Sequence, residues 1–427
     1  MAKMKKFLAL ALVFALALTL AACGGDSQTD DASNTGDSET STDGTYKIGM
    51  IYPMSGGNAL FGNAMVTATE IAVDMINEAG GVNGTQIELV IGDGATSSEA
   101  STEATRMIDS EGVNVIIGSM SSGNANAIRS VTERSNVILW ETSAVADNVL
   151  DGQSGLTFRI CDQGSYRGYN AVRFLAEELA DDLGKDPSEL RIAVINEDSS
   201  YGESIAEGAI EAAEEFGVTV AYNAAYDAAS TDVSSTVMGI QNADVDALVA
   251  ASYINDALLF ADTLTQYDAW PDVLLGCGSG WNDPTICSTL GAEAVEGIFC
   301  VDMPSNIELS MLNEENAALL SQFRESYAAV ADGAEAPLTA CVAFMGAYVF
   351  LHDILPNAAS FSTEDIVAAI EATNIDQTTM IWSLQFDESG QNTGAQSVLM
   401  QWQDGALTTV WPEAYANGTY TNVPLNK

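Results

Sequence analysis

The chain has 427 residues, 47% of them hydrophobic and 17% charged, which is the composition of a globular protein rather than a disordered or fibrous one. Sixty Asp and Glu against 14 Lys and Arg give a formal net charge of −46. Because such a surface repels nucleic acid and anionic lipid headgroups, neither is an expected partner.

The first 45 residues show no pattern of a packed domain. Residues 1–22 combine three lysines with the apolar run 7–20, which predicts a signal peptide and is short for a membrane span. Residues 23–45 are mainly Ser, Thr, Asp and Gly, which predicts a disordered tether. The remaining residues, about 380, are too many for one hydrophobic core and favour two lobes.

From residue 46 onward, short apolar runs typical of buried strands alternate with helical patterns. The predicted strands cover 47–52, 87–91, 113–117, 137–140, 156–161, 191–196, 218–222, 247–251, 273–276 and 298–303. Helices are predicted between them and over 316–330, 339–355 and 363–372. After Trp382 the alternating pattern predicts a hairpin with a turn at Asp404-Gly405. The βαβα order predicts an α/β fold with two doubly wound parallel-sheet lobes.

The stretch 118–147 brings polar groups to one edge of the first predicted sheet. Strand 113–117 is followed directly by Gly-Ser-Met-Ser-Ser-Gly, in which Ser122 is placed to cap the next helix. The next strand leads into a loop with Thr142, Ser143 and Ala144. Hydroxyls and free N–H groups at such an edge suit a ligand carboxylate. The alternative is an ordinary strand-to-helix turn with a serine cap.

The six cysteines do not form a metal-binding pattern. Apart from Cys23, five remain, so at least one is unpaired in the monomer, and Cys277 and Cys287 are spaced to close a short loop. The absence of a CxxC motif or a Cys/His cluster argues against structural zinc, and no metal site is expected.

The sequence offers no catalytic constellation. The single histidine, His352, lies in an apolar helical stretch, so a Ser/His/Asp site would need a loop serine beside it. No Walker loop, HExxH or GxSxG motif occurs. We therefore expect neither enzymatic activity nor a cofactor.

Beginning at Tyr46–Gly56 with Phe61-Gly62, the whole chain after the tether carries a series of motifs in a distinctive order and spacing. The series resembles the leucine/isoleucine/valine-binding proteins of ABC transporters. It includes Ala79-Gly80-Gly81-Val82-Asn83-Gly84, residues 115–122, Phe158-Arg159, Asp198-Ser199-Ser200-Tyr201-Gly202 and residues 294–298. It implies the type I periplasmic binding protein fold, in which two lobes joined by three hinge crossings enclose a ligand.

The resemblance also implies the domain boundaries and the function. The crossings fall near Cys161, Phe299 and Ile381, so lobe 1 is 46–161 with 300–381 and lobe 2 is 162–299 with 382–427. The implied function is an extracytoplasmic solute-binding protein that delivers an amino acid or similar small carboxylate to an ABC permease. The alternatives are a ligand-sensing receptor module of the same fold, or a binder of an amide or aromatic acid.

The segment Leu20-Ala21-Ala22-Cys23-Gly24 resembles the lipobox of bacterial lipoproteins. In that family the cysteine receives the lipid and becomes the first mature residue. The resemblance implies that Cys23 anchors the protein to the cell membrane, with no other contact between the protein and the membrane.

The resemblance assigns ligand-binding residues position by position. The carboxylate-binding serine falls on Ser122, beside Ser121, and a ligand-binding threonine falls on a residue without a hydroxyl, Val145. Backbone support comes from the loop at Ser143 and Ala144. The family's aromatic positions fall on Phe61, Tyr201 and Tyr253.

One family residue has no counterpart in this chain. The glutamate that meets the ligand ammonium falls near Gly278, so the charge is absent. A desolvated ammonium needs acceptors, and Glu141 or Asp256 is a candidate replacement in the neighbouring loops. Alternatively, the ligand lacks an ammonium and Trp281 stacks on it.

Overall fold

The computed structural model describes residues 44–152 and 154–425, so the predicted signal peptide, Cys23 and the tether up to residue 43 lie outside the described residues. The first sheet is parallel, with strand order β2-β1-β3-β4-β5. Its strands are β1 (Thr45–Tyr52), β2 (Gln86–Asp93), β3 (Val115–Gly118), β4 (Ile138–Glu141) and β5 (Thr157–Arg159).

The second sheet has the strand order β12-β11-β10-β9-β8-β6-β7. Its strands are β6 (Arg191–Glu197), β7 (Thr219–Tyr226), β8 (Ala247–Ala251), β9 (Val273–Cys277), β10 (Phe299–Asp302), β11 (Val398–Gln403) and β12 (Ala406–Trp411). Strands β6 to β10 are parallel, while β11 is antiparallel to β10 and forms a hairpin with β12. The predicted turn at Asp404-Gly405 joins β11 to β12.

Helices cover both faces of the first sheet, which is why its central strands β3 and β4 are buried along their whole length. The helices of the chain are α1 (Ala59–Glu78), α2 (Ser97–Arg106), α3 (Ser122–Thr132), α4 (Gly164–Phe174), α5 (Ser200–Phe216), α6 (Ser234–Ala243), α7 (Ile254–Tyr267), α8 (Ser279–Asn282), α9 (Pro284–Leu290), α10 (Ala292–Val295), α11 (Glu314–Val330), α12 (Leu338–Val349) and α13 (Thr363–Glu371). Helices α1, α11 and α12 pack together on one face, and α2 and α3 pack together on the other. We call the first sheet with α1–α3 and α11–α13 the first lobe, and the second sheet with α4–α10 the second lobe.

Helix α1 and the helical segment Leu338–Asn357 are each long and apolar enough to cross a membrane. In the structure they pack against each other, and 56% and 72% of their most apolar stretches are buried. Their hydrophobicity is therefore accounted for by the core of the first lobe.

The second crossing lies further along the chain than predicted. Cys300, assigned to lobe 1, pairs with Gly276 of β9 and Met400 of β11 in the second sheet. The boundary at 299/300 is therefore wrong, because β10 completes its pairing up to Asp302 before the chain leaves the sheet. Both Cys277 and Cys287 are free, so the suggested short disulfide loop is also wrong.

A buried arginine joins the first two crossings. Arg167 Nε and Nη2 donate to Asp162 at 2.9 and 2.7 Å, and its Nη1 lies 2.7 Å from Asp302 Oδ1. Burial raises the pKa of Asp302 to about 6, although the charge of Arg167 opposes that rise. Burial also disfavours the charged guanidinium, yet the two carboxylates hold the pKa of Arg167 well above its usual value. We call these three side chains the Arg167 triad.

A second buried arginine joins the end of β5, next to the first crossing, to the segment around Gln391 that leads into the second sheet. Arg159 Nε donates to Gln391 Oε1 at 2.7 Å, and Gln391 Nε2 donates to the Cys161 carbonyl at 2.8 Å. Arg159 Nη1 donates to the carbonyls of Val145 and Ala146 at 2.9 and 2.6 Å. Arg159 therefore fixes the loop after β4 relative to the returning chain.

Removing the guanidinium of Arg167 should destabilise the fold. Arg167→Met leaves two buried carboxylates without their counter-charge, and we expect a loss of about 3–5 kcal/mol in the free energy of unfolding. Urea denaturation at neutral pH measures the change. The control is Arg173→Met, which breaks the exposed ion pair with Glu177 and should cost less than about 1 kcal/mol. Equal losses in the two variants would contradict a structural role for the Arg167 triad.

Candidate functional site

A cavity of about 770 Å³, which we call the interlobe cavity, lies between elements of the two lobes. The first lobe contributes Phe61 of α1, together with residues of α11 and α12. The second lobe contributes residues of α8, α9 and the β11–β12 hairpin. The apolar lining includes Phe61, Met303, Ile307, Leu320, Leu338, Trp402 and Leu407. Its volume is in the range of small-molecule sites, and such sites are mostly apolar with a few polar groups.

Polar side chains line part of the interlobe cavity, and some of them also support the fold. Asn282 Nδ2 donates to Asp302 Oδ2 at 2.9 Å, so the cavity wall contacts the Arg167 triad. Asp283 caps α9 by accepting a hydrogen bond of 2.8 Å from the Thr285 N–H. The other polar side chains of the lining are those of Ser279, Ser288, Ser305, Asn306, Arg324, Glu335 and Thr339.

Of the predicted ligand-binding residues, Phe61 is the one that lines the interlobe cavity. The others lie at or just after the carboxyl ends of the strands, in two groups. The first-lobe group is Ser121, Ser122, Glu141, Ser143, Ala144 and Val145. The second-lobe group is Tyr201, Tyr253, Asp256 and Trp281.

Ser121, and not Ser122, caps helix α3. Ser121 has an extended backbone and its Oγ accepts from the Asn124 N–H at 3.4 Å, so the predicted cap is wrong by one residue. Ser122 is 1% exposed, and its Oγ accepts from the Ala146 N–H at 3.1 Å. It thereby ties the start of α3 to the loop after β4. The N–H groups of Ser122 and Gly123, in the first turn of α3, have no acceptor within the helix.

Glu141 does not present its charge to a ligand. The side chain is fully buried, and Oε1 accepts from the N–H groups of Ser143 and Ala144 at 2.9 and 2.8 Å. Its Oε2 accepts from the N–H and the hydroxyl of Ser119 at 2.6 and 3.1 Å. Burial raises the pKa of Glu141, and these hydrogen bonds oppose the rise. Both carboxylate oxygens of Glu141 therefore have partners within the protein, which leaves it ill-suited as the predicted counter-charge, and the N–H groups of Ser143 and Ala144 are already used.

Val145 differs from its neighbours, because its carbonyl accepts hydrogen bonds while its N–H donates none within the part of the chain that the structure describes. The carbonyl accepts from Arg159 Nη1 at 2.9 Å and from the Gly164 N–H at 2.7 Å. Gly164 begins α4 of the second lobe, so the loop at Val145 contacts both lobes. The Val145 N–H has no partner among the described residues.

Two tyrosines explain the glycine that stands near the family's glutamate position. The rings of Tyr201 and Tyr253 are 4.9 Å apart, and the Tyr201 hydroxyl donates to the Cys277 carbonyl at 3.2 Å. Gly278 has φ +84°, and a Cβ there would lie 1.6 Å from the Tyr201 hydroxyl. A side chain at residue 278 is therefore excluded by both backbone conformation and space.

Asp256 and Trp281 both have contacts within the second lobe. Asp256 Oδ2 accepts from the Tyr253 N–H at 3.0 Å and from the Tyr226 hydroxyl at 3.2 Å. Trp281 is fully buried in the core of the second lobe and packs against Gly276. The roles of Asp256 as a counter-charge and of Trp281 as a stacking wall stay predictions.

The sequence reasoning missed the polar residues that do line the interlobe cavity. Asp283 precedes Pro284, a helix-start signal that marks a cap at the edge of the second lobe. Arg324 is the sole Lys or Arg between Arg191 and Lys427. Its isolation in a strongly acidic chain was a signal available from the sequence.

Comparison with known proteins gives matches over most of the chain. The profile of a family described as "Periplasmic binding protein" matches residues 45–406. The "Leu/Ile/Val-binding protein homolog 7" of Brucella abortus (strain 2308) is 33% identical over 372 residues. That alignment covers 87% of this chain and 92% of the relative.

Solved structures share the fold at lower identity. A branched-chain amino acid transporter substrate binding protein from Streptococcus pneumoniae, in complex with isoleucine, has a TM-score of 0.72 and 22% identity. The match covers 86% of this chain and 100% of the S. pneumoniae chain. An ABC transporter solute binding protein from R. palustris, in complex with benzoate, has a TM-score of 0.73 and 17% identity. That match covers 90% of this chain and 100% of the R. palustris chain.

Glu141 should matter for stability. Glu141→Gln replaces one of two acceptor oxygens by an NH₂ group, which faces N–H donors, so we expect a loss of about 1–3 kcal/mol in the free energy of unfolding. Thermal and urea denaturation measure it, with the exposed Glu207→Gln as the control, expected to be near neutral. A fully stable Glu141→Gln protein would show that these hydrogen bonds do not hold the two loops.

Proposed function

Because the chain belongs to the periplasmic binding protein family, we propose that it is the solute-binding component of an ABC transporter, which captures an amino acid or similar small carboxylate between its lobes. The family is extracytoplasmic, and its members bind small solutes and work with permeases. The observation that carries the proposal is the interlobe cavity, because it is lined from both lobes. A solute in it would contact both lobes and favour their closure.

The start of α3 supports a carboxylate on the solute. The N–H groups of Ser122 and Gly123 point along a helix amino end, where the helix dipole favours an anion. The unpaired N–H of Val145 lies on the adjoining loop, which Ser122 holds through Ala146. We propose that these N–H groups and the Ser122 hydroxyl, which retains its proton for donation, receive the carboxylate.

The absent counter-charge near Gly278 supports a second candidate, an aromatic or other acid without an ammonium. The R. palustris protein of the same fold was solved with benzoate. Asp283 is the acidic side chain of the second lobe that lines the interlobe cavity, so it is the group we would assign to an ammonium if the solute is an amino acid.

Titration with leucine, isoleucine, benzoate and short aliphatic acids tests the function. We expect at least one of them to bind and to raise the stability of the folded protein, by about 2.7 kcal/mol at a hundredfold excess over the dissociation constant. Calorimetry and thermal unfolding provide independent readouts. Failure of every small carboxylate to bind would refute the proposed solute class.

Within that experiment, Ser122→Ala should weaken the solute's binding by about 1–3 kcal/mol, the range for hydrogen bonds to a charged group. The control Ser130→Ala removes an exposed hydroxyl from the same helix and should leave the affinity unchanged. Thermal unfolding without solute separates this effect from the stability lost with the Ser122–Ala146 hydrogen bond. Unchanged affinity in Ser122→Ala would place the carboxylate elsewhere.

We propose in addition that Cys23 carries a lipid anchor, supported by the lipobox-like sequence Leu20–Gly24. Cys23→Ser should leave the protein unprocessed or release it from the membrane fraction, as measured by fractionation and lipid labelling. Cys287→Ser is the control, because it also removes a free thiol but should keep the label. Persistent labelling of Cys23→Ser would refute the anchor.

A further inference from the structure

Arg324 is the single basic residue that lines the interlobe cavity. It projects from α11 of the first lobe, and its Nη2 donates to the Ile307 carbonyl at 2.9 Å. Between Arg191 and Lys427 the sequence has no other Lys or Arg, although acidic residues are frequent there. A single positive charge on a cavity wall is a candidate binding group for an anion.

No carboxylate of the described residues lies within ion-pair distance of Arg324, unlike Arg167 and Arg173. The bond to Ile307 uses one donor of the guanidinium, and the remaining donors have no partner in the described part of the chain. Unpaired planar donors of this kind match the two oxygens of a carboxylate.

Two acidic residues also line the interlobe cavity, and neither neutralises Arg324. Asp283 is bound to the start of α9 on the second lobe, where its carboxylate is the helix cap. Glu335 is exposed on the connection between α11 and α12. Both lie farther from the guanidinium than an ion pair allows, so the positive charge remains available to a solute.

A hydroxyl without a partner lies on the same wall. Thr339, the second residue of α12, is 4% exposed, and its Oγ1 has no hydrogen-bond partner among the described residues. Helix α12 begins after Pro337, which supplies no side-chain cap for the first N–H groups. The wall formed by Arg324 and Thr339 therefore offers guanidinium and hydroxyl donors to a solute.

This wall is separate from the carboxylate site proposed at the start of α3. Helix α11 packs with α1 and α12 on one face of the first sheet, whereas α3 packs with α2 on the opposite face. Neither Ser122, Gly123 nor Val145 belongs to the lining of the interlobe cavity, so Arg324 and the site at the start of α3 would bind different groups of one solute.

We propose that Arg324, assisted by Thr339, binds a second anionic group of the solute, so that the preferred solutes of this protein are small acids with an additional carboxylate or similar oxyanion. This inference rests on the proposed function and specifies its solute class. The apolar side chains of the cavity, such as Phe61 and Leu338, would contact the body of the solute between the two acidic groups.

Two pairs of probes test the inference by calorimetry: leucine against glutamate, whose side chain ends in a carboxylate rather than in methyl groups, and benzoate against isophthalate, which adds a carboxylate to the ring. For wild-type protein we expect the diacid of at least one pair to bind about tenfold or more tightly than the monoacid. Arg324→Gln, which can still donate to the Ile307 carbonyl, should remove that preference and leave the monoacid's affinity unchanged. Arg324→Lys should retain part of the preference, because it keeps the charge without the planar donors.

Arg173→Gln, which removes a distant exposed arginine, is the control and should bind like wild type. If the monoacids bind and the diacids bind no more tightly, the inference is overturned and the proposed function remains intact. Equal weakening of both members of a pair in Arg324→Gln would also overturn it, since the residue would then act on the fold alone. If no probe binds wild-type protein, the proposed function and the inference both fail.

Discussion

The structure depends on a buried positive charge held between two buried carboxylates at the points where the chain passes between lobes. Asp162 belongs to the first crossing and Asp302 ends the strand before the second, and Arg167 binds both. Removing three charged groups from water is costly unless they compensate each other, so this arrangement tolerates little displacement. The crossings are therefore fixed in relation to each other by electrostatics as well as by packing.

Buried charged side chains also fix the segment around Gln391 and the loops of the first lobe. Arg159 binds Gln391 of the returning chain and the carbonyls after Ala144, while Glu141 collects N–H groups from Ser119, Ser143 and Ala144. Arg159 thus holds the loop after β4 through its carbonyl groups, and Glu141 holds the same loop through its N–H groups. The loop conformation that leaves the Val145 N–H unpaired is a consequence of these two buried side chains.

Some polar groups near the lobe interface have hydrogen-bond partners within the protein, and others are available to a solute. Glu141, Asp256 and Tyr201 have partners within the protein, and Tyr201 leaves no room for a side chain at Gly278. The interlobe cavity retains Arg324, Thr339 and Ser279, with Asp283 across from them on the second lobe. A site of this composition differs from the simple carboxylate-and-ammonium arrangement that the family resemblance implied.

The sequence by itself determined the features that rest on local pattern. Apolar runs and helical spacing predicted the strands and helices in order, because each run must bury its own apolar face, and motif order and spacing identified the family. What only the tertiary structure decided was which polar side chain meets which partner. The pairing of β10 with β11, about a hundred residues later, moved the second crossing to Asp302, a long-range contact that local periodicity does not encode. Glu141 and Arg324 are both charged residues on regular elements, yet folding surrounds Glu141 with N–H groups and leaves Arg324 on a cavity wall, because burial and pairing depend on distant segments brought together in space.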